Sequence, residues 1–429
     1  MDVLCVIRTP TIMRGTIMSA KEHMDHTKDC TLEVENHSLR ERTSYGVGKF
    51  QAEFFTGAFA ALVFIYFETE VGLKGWLTAL GIVIYSLWNA INDPVIGYLT
   101  EKPTPLARKL GRRFPWIIFG SFIWVFSFIL IFSVPQKLVE QNIQWALFLW
   151  MVLSTCLYDT LYSIWEVNYQ SVFPDKFRDQ KIRNNVAGIA TIIGVFGIAA
   201  GALVPTFVIN YGVRSSYIRN SVIFAIVGVV MVVLLLPGVK ENKGMITRYL
   251  ESKEKAKEKG EKDNFFIQLV NAFKHHNFIA FILLYFFYQA SVMTMNASVH
   301  YVGKYILFDV SKTTTIFAAM LIGALVSIPI WLYVAKKIQN NQKSLTIAAI
   351  MLAVFSFPMA FLNTQLEFSI ALFFWGTAFG GFWLTMTPAM ADVIDEIVTK
   401  TGKRNDGIFL GFRAFFEGYL MPYRPYHFG

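Results

Sequence analysis

Ten runs of about twenty mostly apolar residues, each closed by a short charged block, organise this chain of 429 residues. Crossing a hydrocarbon core about 30 Å thick takes roughly that length of helix. The runs fall at about 45–67, 73–99, 115–134, 145–170, 186–210, 217–237, 277–299, 313–335, 344–363 and 367–391. Inside lipid every backbone N–H and C=O must be satisfied within the protein, which leaves helices and closed barrels. Runs this long select the helix. The expected class is an all-α membrane protein with the lipid bilayer as its solvent.

Composition agrees. Hydrophobic residues make up 54% of the chain and charged residues 16%, against about 25% charged in an average soluble domain. The formal net charge of +9 does not call for nucleic acid, because the excess lies between the spans. Connections after the even-numbered spans and after the tenth carry twenty-four Lys and Arg, and the opposite set carries six. The basic side stays in the cytoplasm, so the amino terminus is expected there too, in a plasma-membrane protein. Residues 1–43 read as a polar tail or an early start; the apolar patch Val3–Ile7 is too short for a signal-peptide core. Cys5, Cys30 and Cys156 are too scattered for a disulfide framework, and His23, His26 and Cys30 lack a fourth metal ligand. With no nucleophile–base pair and no phosphate loop, an enzyme is not expected, nor is a metal or cofactor.

The connection at 238–276 pairs Glu251 with Lys255 and Glu258 with Lys262 at helical spacing. It reads as a cytoplasmic linker between a six-span half, 44–237, and a second half, 277–421. The halves echo each other: Pro94, Tyr98 and Lys102 recur as Pro329, Tyr333 and Lys337, and Trp165 before Arg183-Asn184 recurs as Trp383 before Arg404-Asn405. That is the pattern of a parallel six-helix repeat, the major facilitator plan. The second half then runs short. Gly407–Met421 holds Arg413 and Glu417 and ends at Pro422, about 22 Å of helix at best. The expectation is ten complete spans, a partial eleventh, a tail at 422–429, and truncation relative to a twelve-helix parent.

Polar residues inside spans are costly and face cavities or one another. Asn89 and Asp93 share a face of the second span, and Pro94 frees a backbone carbonyl beside them. Lys49 and Glu53 lie one turn apart in the first. Asp159, Tyr162, Glu166 and Tyr169 form a stripe on the fourth, with Trp165 just off it. Aromatic faces stack on sugars while carboxylates accept from hydroxyls, so Asp159, Trp165, Glu166 and, from the second half, Tyr288 are solute candidates. Tyr285, Gln289, Trp375 and Trp383 read first as packing. Arg112, Arg113, Asp392, Asp395 and Arg404 read either as loop-end charges or as ion pairs closing the cytoplasmic side.

The block Trp88-Asn-Ala-Ile-Asn-Asp-Pro-Val-Ile-Gly97 with Gly111-Arg-Arg-Phe-Pro-Trp116 resembles the signature of the glycoside–pentoside–hexuronide:cation symporters, the melibiose permease family. Ser44–Phe54, and Ala391-Asp-Val-Ile-Asp395 with Thr401-Gly-Lys-Arg404, are similar to that family too. The resemblance implies a symporter, a monomer, working by alternating access on a small solute with H+ or Na+ as coupling ion. It implies cation contacts at Asn89, Asp93 and Tyr162, and a sugar contact at Glu53. Asn89 stands where the family commonly has Asp, one negative charge fewer, which leans towards a proton or weak coupling. The family's basic residue early in span five has no clear match: Ala187 is near, Arg183 a turn earlier. Its span-eleven lysine is missing, with Glu417 or Gly418 near that place. Three readings follow: a sugar symporter, a lysophospholipid transporter, or a non-functional fragment.

Overall fold

Each apolar run closes into a helix because lipid leaves its backbone no other partner. The computed structural model describes residues 37–102, 105–210, 212–258, 275–309, 312–401 and 409. The helices are α1 (Leu39–Ile65), α2 (Gly75–Thr100), α3 (Phe114–Phe132), α4 (Gln144–Lys176), α5 (Gln180–Val208), α6 (Arg214–Val239), α7 (His276–Tyr305), α8 (Lys312–Ile338), α9 (Asn341–Ser356) and α10 (Gln365–Thr401). Among the described residues there is no strand. Nine helices there are long and apolar enough to cross a membrane, and α7 adds a shorter apolar stretch, His276–Val292. The proposed His23–His26–Cys30 group, the Glu258–Lys262 pair, Arg404 and the partial eleventh span lie wholly or partly outside the described residues.

The helices overrun their apolar runs: α4 reaches Lys176 and α10 reaches Thr401, past the expected ends at 170 and 391. Hydropathy marks the lipid slab, whereas hydrogen bonding carries a helix on into water until something stops it. Starts are set by caps: Ser38 and Glu41 form a capping box on α1, and Asp179 accepts from the Ile182 N–H at the head of α5.

Lipid tails are as apolar as leucine, so these helices associate through close packing and not through exclusion of water. Small residues make that possible. A Cβ added at Gly197 or Gly201 of α5 would lie 2.6 Å from the Phe50 or Phe54 carbonyl of α1. Buried apolar residues of α1–α6 form one cluster, joined by Ala391 of α10, and those of α7–α10 form a second, with a smaller third of Val299, Ile316, Phe368 and Leu372. Phe54 stacks on Phe224 at 4.0 Å in the first, and Tyr288 on Phe382 at 3.8 Å in the second.

The basic connection after α2 is tightly built. Arg112 pairs with Glu101 at 2.8 Å and Arg113 pairs with the same carboxylate. Glu241, just past α6, accepts the backbone N–H groups of Arg113 and Phe114 at 2.9 and 3.2 Å, capping α3 from another helix. Burial pushes the Glu241 carboxyl above its ordinary range, opposed by those two N–H groups and the Arg112 charge. Lys176 donates to the carbonyls of Pro237, Gly238 and Lys240 at 3.0–3.1 Å, satisfying the end of α6.

Gly111 makes that connection possible. Its φ of 95° and ψ of 172° lie in a region only glycine enters freely, and an added Cβ would run into the Glu241 carboxylate. Gly111→Ala is expected to cost about 1–3 kcal/mol in backbone strain alone, read as a lower melting temperature of the purified protein. An unchanged melting temperature would show that this turn is not strained by a side chain.

Candidate functional site

Three features define the candidate site. The first is a carboxylate sealed between α2 and α4. Asp159 is 0% exposed. Asn89 donates to its Oδ1 at 2.7 Å, Asn92 to its Oδ2 at 3.3 Å, and Asn92 also reaches Ser163 Oγ at 2.8 Å. Asn89 and Asn92 are three apart, so one face of α2 presents both amides to one acceptor. A buried charge survives only with such partners. Asp93 lies a turn beyond Asn89 and is 4% exposed. Tyr162 packs against Trp124 at 5.0 Å and Trp165 at 6.0 Å.

The second is a cavity of about 830 Å³ whose wall draws on α1, α4, α5, α7, α8 and α10. Of the residues expected to touch solute, Glu53, Trp165, Glu166 and Tyr288 line it. Asp159 is not on its wall, a correction to the reading of the α4 stripe as one surface. The stripe does share a face, but its ten residues extend about 15 Å along the helix. The Glu166–Tyr169 end reaches the cavity while Asp159 meets α2. Trp165, expected off the stripe, stacks between Trp124 at 5.2 Å and Tyr169 at 4.9 Å and still reaches the cavity. Trp375 and Trp383, read as packing, also line it, as do Tyr285 and Gln289.

The charged side chains lining this cavity are Lys49, Glu53 and Glu166. Lys49 Nζ sits 2.6 Å from Glu53 and 4.9 Å over the Trp383 ring. Glu166 accepts from the Gln170 amide at 2.6 Å. Lys49 is level with Gly194 of α5, where an added Cβ would lie 2.8 Å from Lys49 Cγ. From there the wall of α5 runs through Ile198 and Ala202 to Leu203, about 13 Å further along the helix. It faces Phe317, Leu321 and Ile322 of α8. Leu203 and Ile322 line the cavity and are also 55% and 54% exposed, so the apolar wall continues to the surface of the helix bundle.

The third is an ion-pair cluster around Arg183, one turn before Ala187 on α5. Arg183, 3% exposed, reaches from α5 to α10 and contacts Asp392 at 3.1 Å and Asp395 at 2.5 Å. It also donates to the Pro174 carbonyl at 3.0 Å, and Asn341 of α9 donates to Asp392 at 2.8 Å. Asp392 and Asp395, read in the sequence either as loop-end charges or as closing charges, both belong to this cluster. Their described partner is Arg183, however, and Arg112 and Arg113 are held by Glu101 in their own connection. Glu101 stands at the end of α2, a short turn away, so the local carboxylate wins. Asp179 capping α5 signals Arg183 in the sequence, since it fixes Arg183 one turn into the helix.

Among the described residues no group of three or more His, Cys, Asp or Glu side chains is gathered as a metal site.

Comparison with known proteins bears on family and fold. A family profile described as MFS/sugar transport protein matches residues 44–421. A sodium-dependent lysophosphatidylcholine symporter 1-A of Danio rerio is 23% identical over 367 residues, covering 77% of this chain and 65% of the relative's length. The Gallus gallus sodium-dependent lysophosphatidylcholine symporter 1 is 23% identical over 420 residues, 89% of this chain and 76% of that one. Among solved structures, a bacterial homologue of the iron transporter ferroportin in an outward-facing state superposes with a TM-score of 0.62 at 11% identity, covering 89% of this chain and 90% of that one. The proton:xylose symporter XylE gives 0.59 at 12%, covering 89% and 86%. At such identities these structures speak for the fold.

Proposed function

Because the chain belongs to the MFS/sugar transport protein family, whose members are multi-pass membrane transporters, we propose that it is a cation-coupled symporter of a lysophospholipid-like amphipath. The observation that carries this is the graded cavity, charged around Lys49, Glu53 and Glu166 and apolar from Ile198 to Leu203 and across to Ile322. A headgroup fits the charged level. An acyl chain fits the apolar length and leaves through the wall shared by α5 and α8. The lysophosphatidylcholine symporters among its relatives support the same reading.

The coupling ion acts at Asp159. Both asparagine amides donate to it. Binding of sodium turns the amide oxygens inward to join the carboxylate; binding of a proton needs only one donor released. Either removes the net charge of a sealed carboxylate, which favours the conformation that carries solute across. With the Lys- and Arg-rich connections taken as cytoplasmic, the Arg183 contacts lie at the cytoplasmic end, and this reading takes the cavity as that of an outward-facing state in the plasma membrane.

A glycoside is the second reading. Trp165, Tyr169 and Trp383 offer ring faces beside Glu53 and Glu166, the combination that holds a pyranose. Proteoliposomes decide between them. Labelled lysophosphatidylcholine is expected to enter faster with an inward sodium or proton gradient than without, and labelled glycosides to show no gradient response. Gradient-driven uptake of glycoside alone would overturn the amphipath in favour of the sugar.

A further inference from the structure

We propose that Lys49 fixes the charge class of the solute by standing in for the solute's own cationic group. The inference rests on the cavity being the solute path. Lys49 Nζ occupies two recognition elements at once, the Glu53 carboxylate at 2.6 Å and the face of Trp383 at 4.9 Å. A carboxylate beside an indole face is what binds a substituted ammonium. The two lie on α1 and α10, so the lysine also bridges the two halves across the cavity.

Charge decides what can displace it. Lys49, Glu53 and Glu166 are the acidic and basic side chains among the described lining residues, and Glu166 accepts from Gln170. A neutral solute leaves the Lys49–Glu53 pair as it is. A cation that takes Glu53 strands the lysine ammonium in a half-buried site, and an anion that takes the lysine strands Glu53. Each stranded charge carries its desolvation cost uncompensated. A zwitterion strands neither: its ammonium takes Glu53 and Trp383, and its anionic group takes Lys49. The exchange also removes the lysine from Trp383, so loading loosens a contact between α1 and α10.

Isothermal titration calorimetry on protein in nanodiscs tests this with three probes sharing one chain: decylphosphocholine, decyltrimethylammonium and decyl maltoside. Wild type is expected to bind the zwitterion more tightly than the cation. Lys49→Met, which keeps the stem and drops the charge, is expected to weaken the zwitterion and strengthen the cation by about tenfold each, inverting the order. Lys49→Arg is expected to restore it. A Lys49→Met variant that shifts all three probes equally, or none, overturns the role of the lysine. Ala199→Trp fills the cavity wall and separates the premises. If it abolishes decylphosphocholine binding, the cavity is the site and the Lys49 result stands or falls alone. If it leaves binding intact, the solute path and this inference fall together.

Discussion

Asp159→Asn is expected to abolish the response of uptake to an ion gradient while leaving solute exchange at zero gradient in place. The carboxylate is sealed between α2 and α4, with two amides turned onto it. A charge there is one an incoming cation can neutralise. Asparagine keeps the shape and loses the charge, so ion binding no longer distinguishes one conformation from another. Coupling energies between sites are typically about 1–3 kcal/mol, so gradient-driven uptake should drop by about 5–150-fold. The measurement is initial uptake into proteoliposomes with and without the gradient, beside counterflow at zero gradient. Full gradient stimulation in Asp159→Asn would remove the residue from the coupling role. Asp93→Asn, run alongside, apportions the effect between the two carboxylates of this region. If the second variant alone uncouples, the sequence's first choice of Asp93 was the better one.

What could be read in the sequence follows from what lipid imposes. The hydrocarbon core sets span length, so the apolar runs showed where the described helices lie, nine of them long and apolar enough to cross a membrane, while exact ends were not legible: α4 and α10 run past theirs and α9 stops short at Ser356. Polar residues inside a span are rare enough to stand out singly, which is why Asn89, Asp159 and Glu166 were all nominated. Height along the helix was not legible. A stripe fixes a face, but whether Asp159 meets the cavity or α2 depends on where neighbouring helices cross. Partner choice was not legible either. Arg112 and Asp392 both sit among loop charges, and only the turn at Gly111 and the cap at Asp179 decide that Glu101 holds one and Arg183 the other. Lys49 read as an ordinary i, i+4 partner of Glu53; Trp383, more than 300 residues away, had no local signal pointing to it.

Neutralising both carboxylates that pair with Arg183 should open the end of the bundle that the α5–α10 contact closes. Arg183 is almost wholly buried, whereas Asp392 and Asp395 keep 32% and 39% of their side chains exposed. Solvent screening reduces what the two pairs contribute, and about 1–2 kcal/mol between conformations is the appropriate scale. That corresponds to roughly a 5–30-fold change in the ratio of the states. The aspartates are the better place to cut. Arg183 also donates to the Pro174 and Phe177 carbonyls at the end of α4, so its removal would damage the first half itself. Asp392→Asn with Asp395→Asn leaves those bonds in place and removes the charge across the halves. Thr387 lines the cavity on α10 near this closure, so Thr387→Cys reports access from the closed end. Labelling by a membrane-impermeant maleimide added on the cytoplasmic side should speed up by the same factor in the double aspartate variant. Uptake should fall, because a transporter resting with this end open presents its cavity to the wrong side. If labelling rates match in the two backgrounds, the Arg183 contacts hold helix ends together in every state, and the closing element lies elsewhere on the α5–α8 and α5–α10 surfaces.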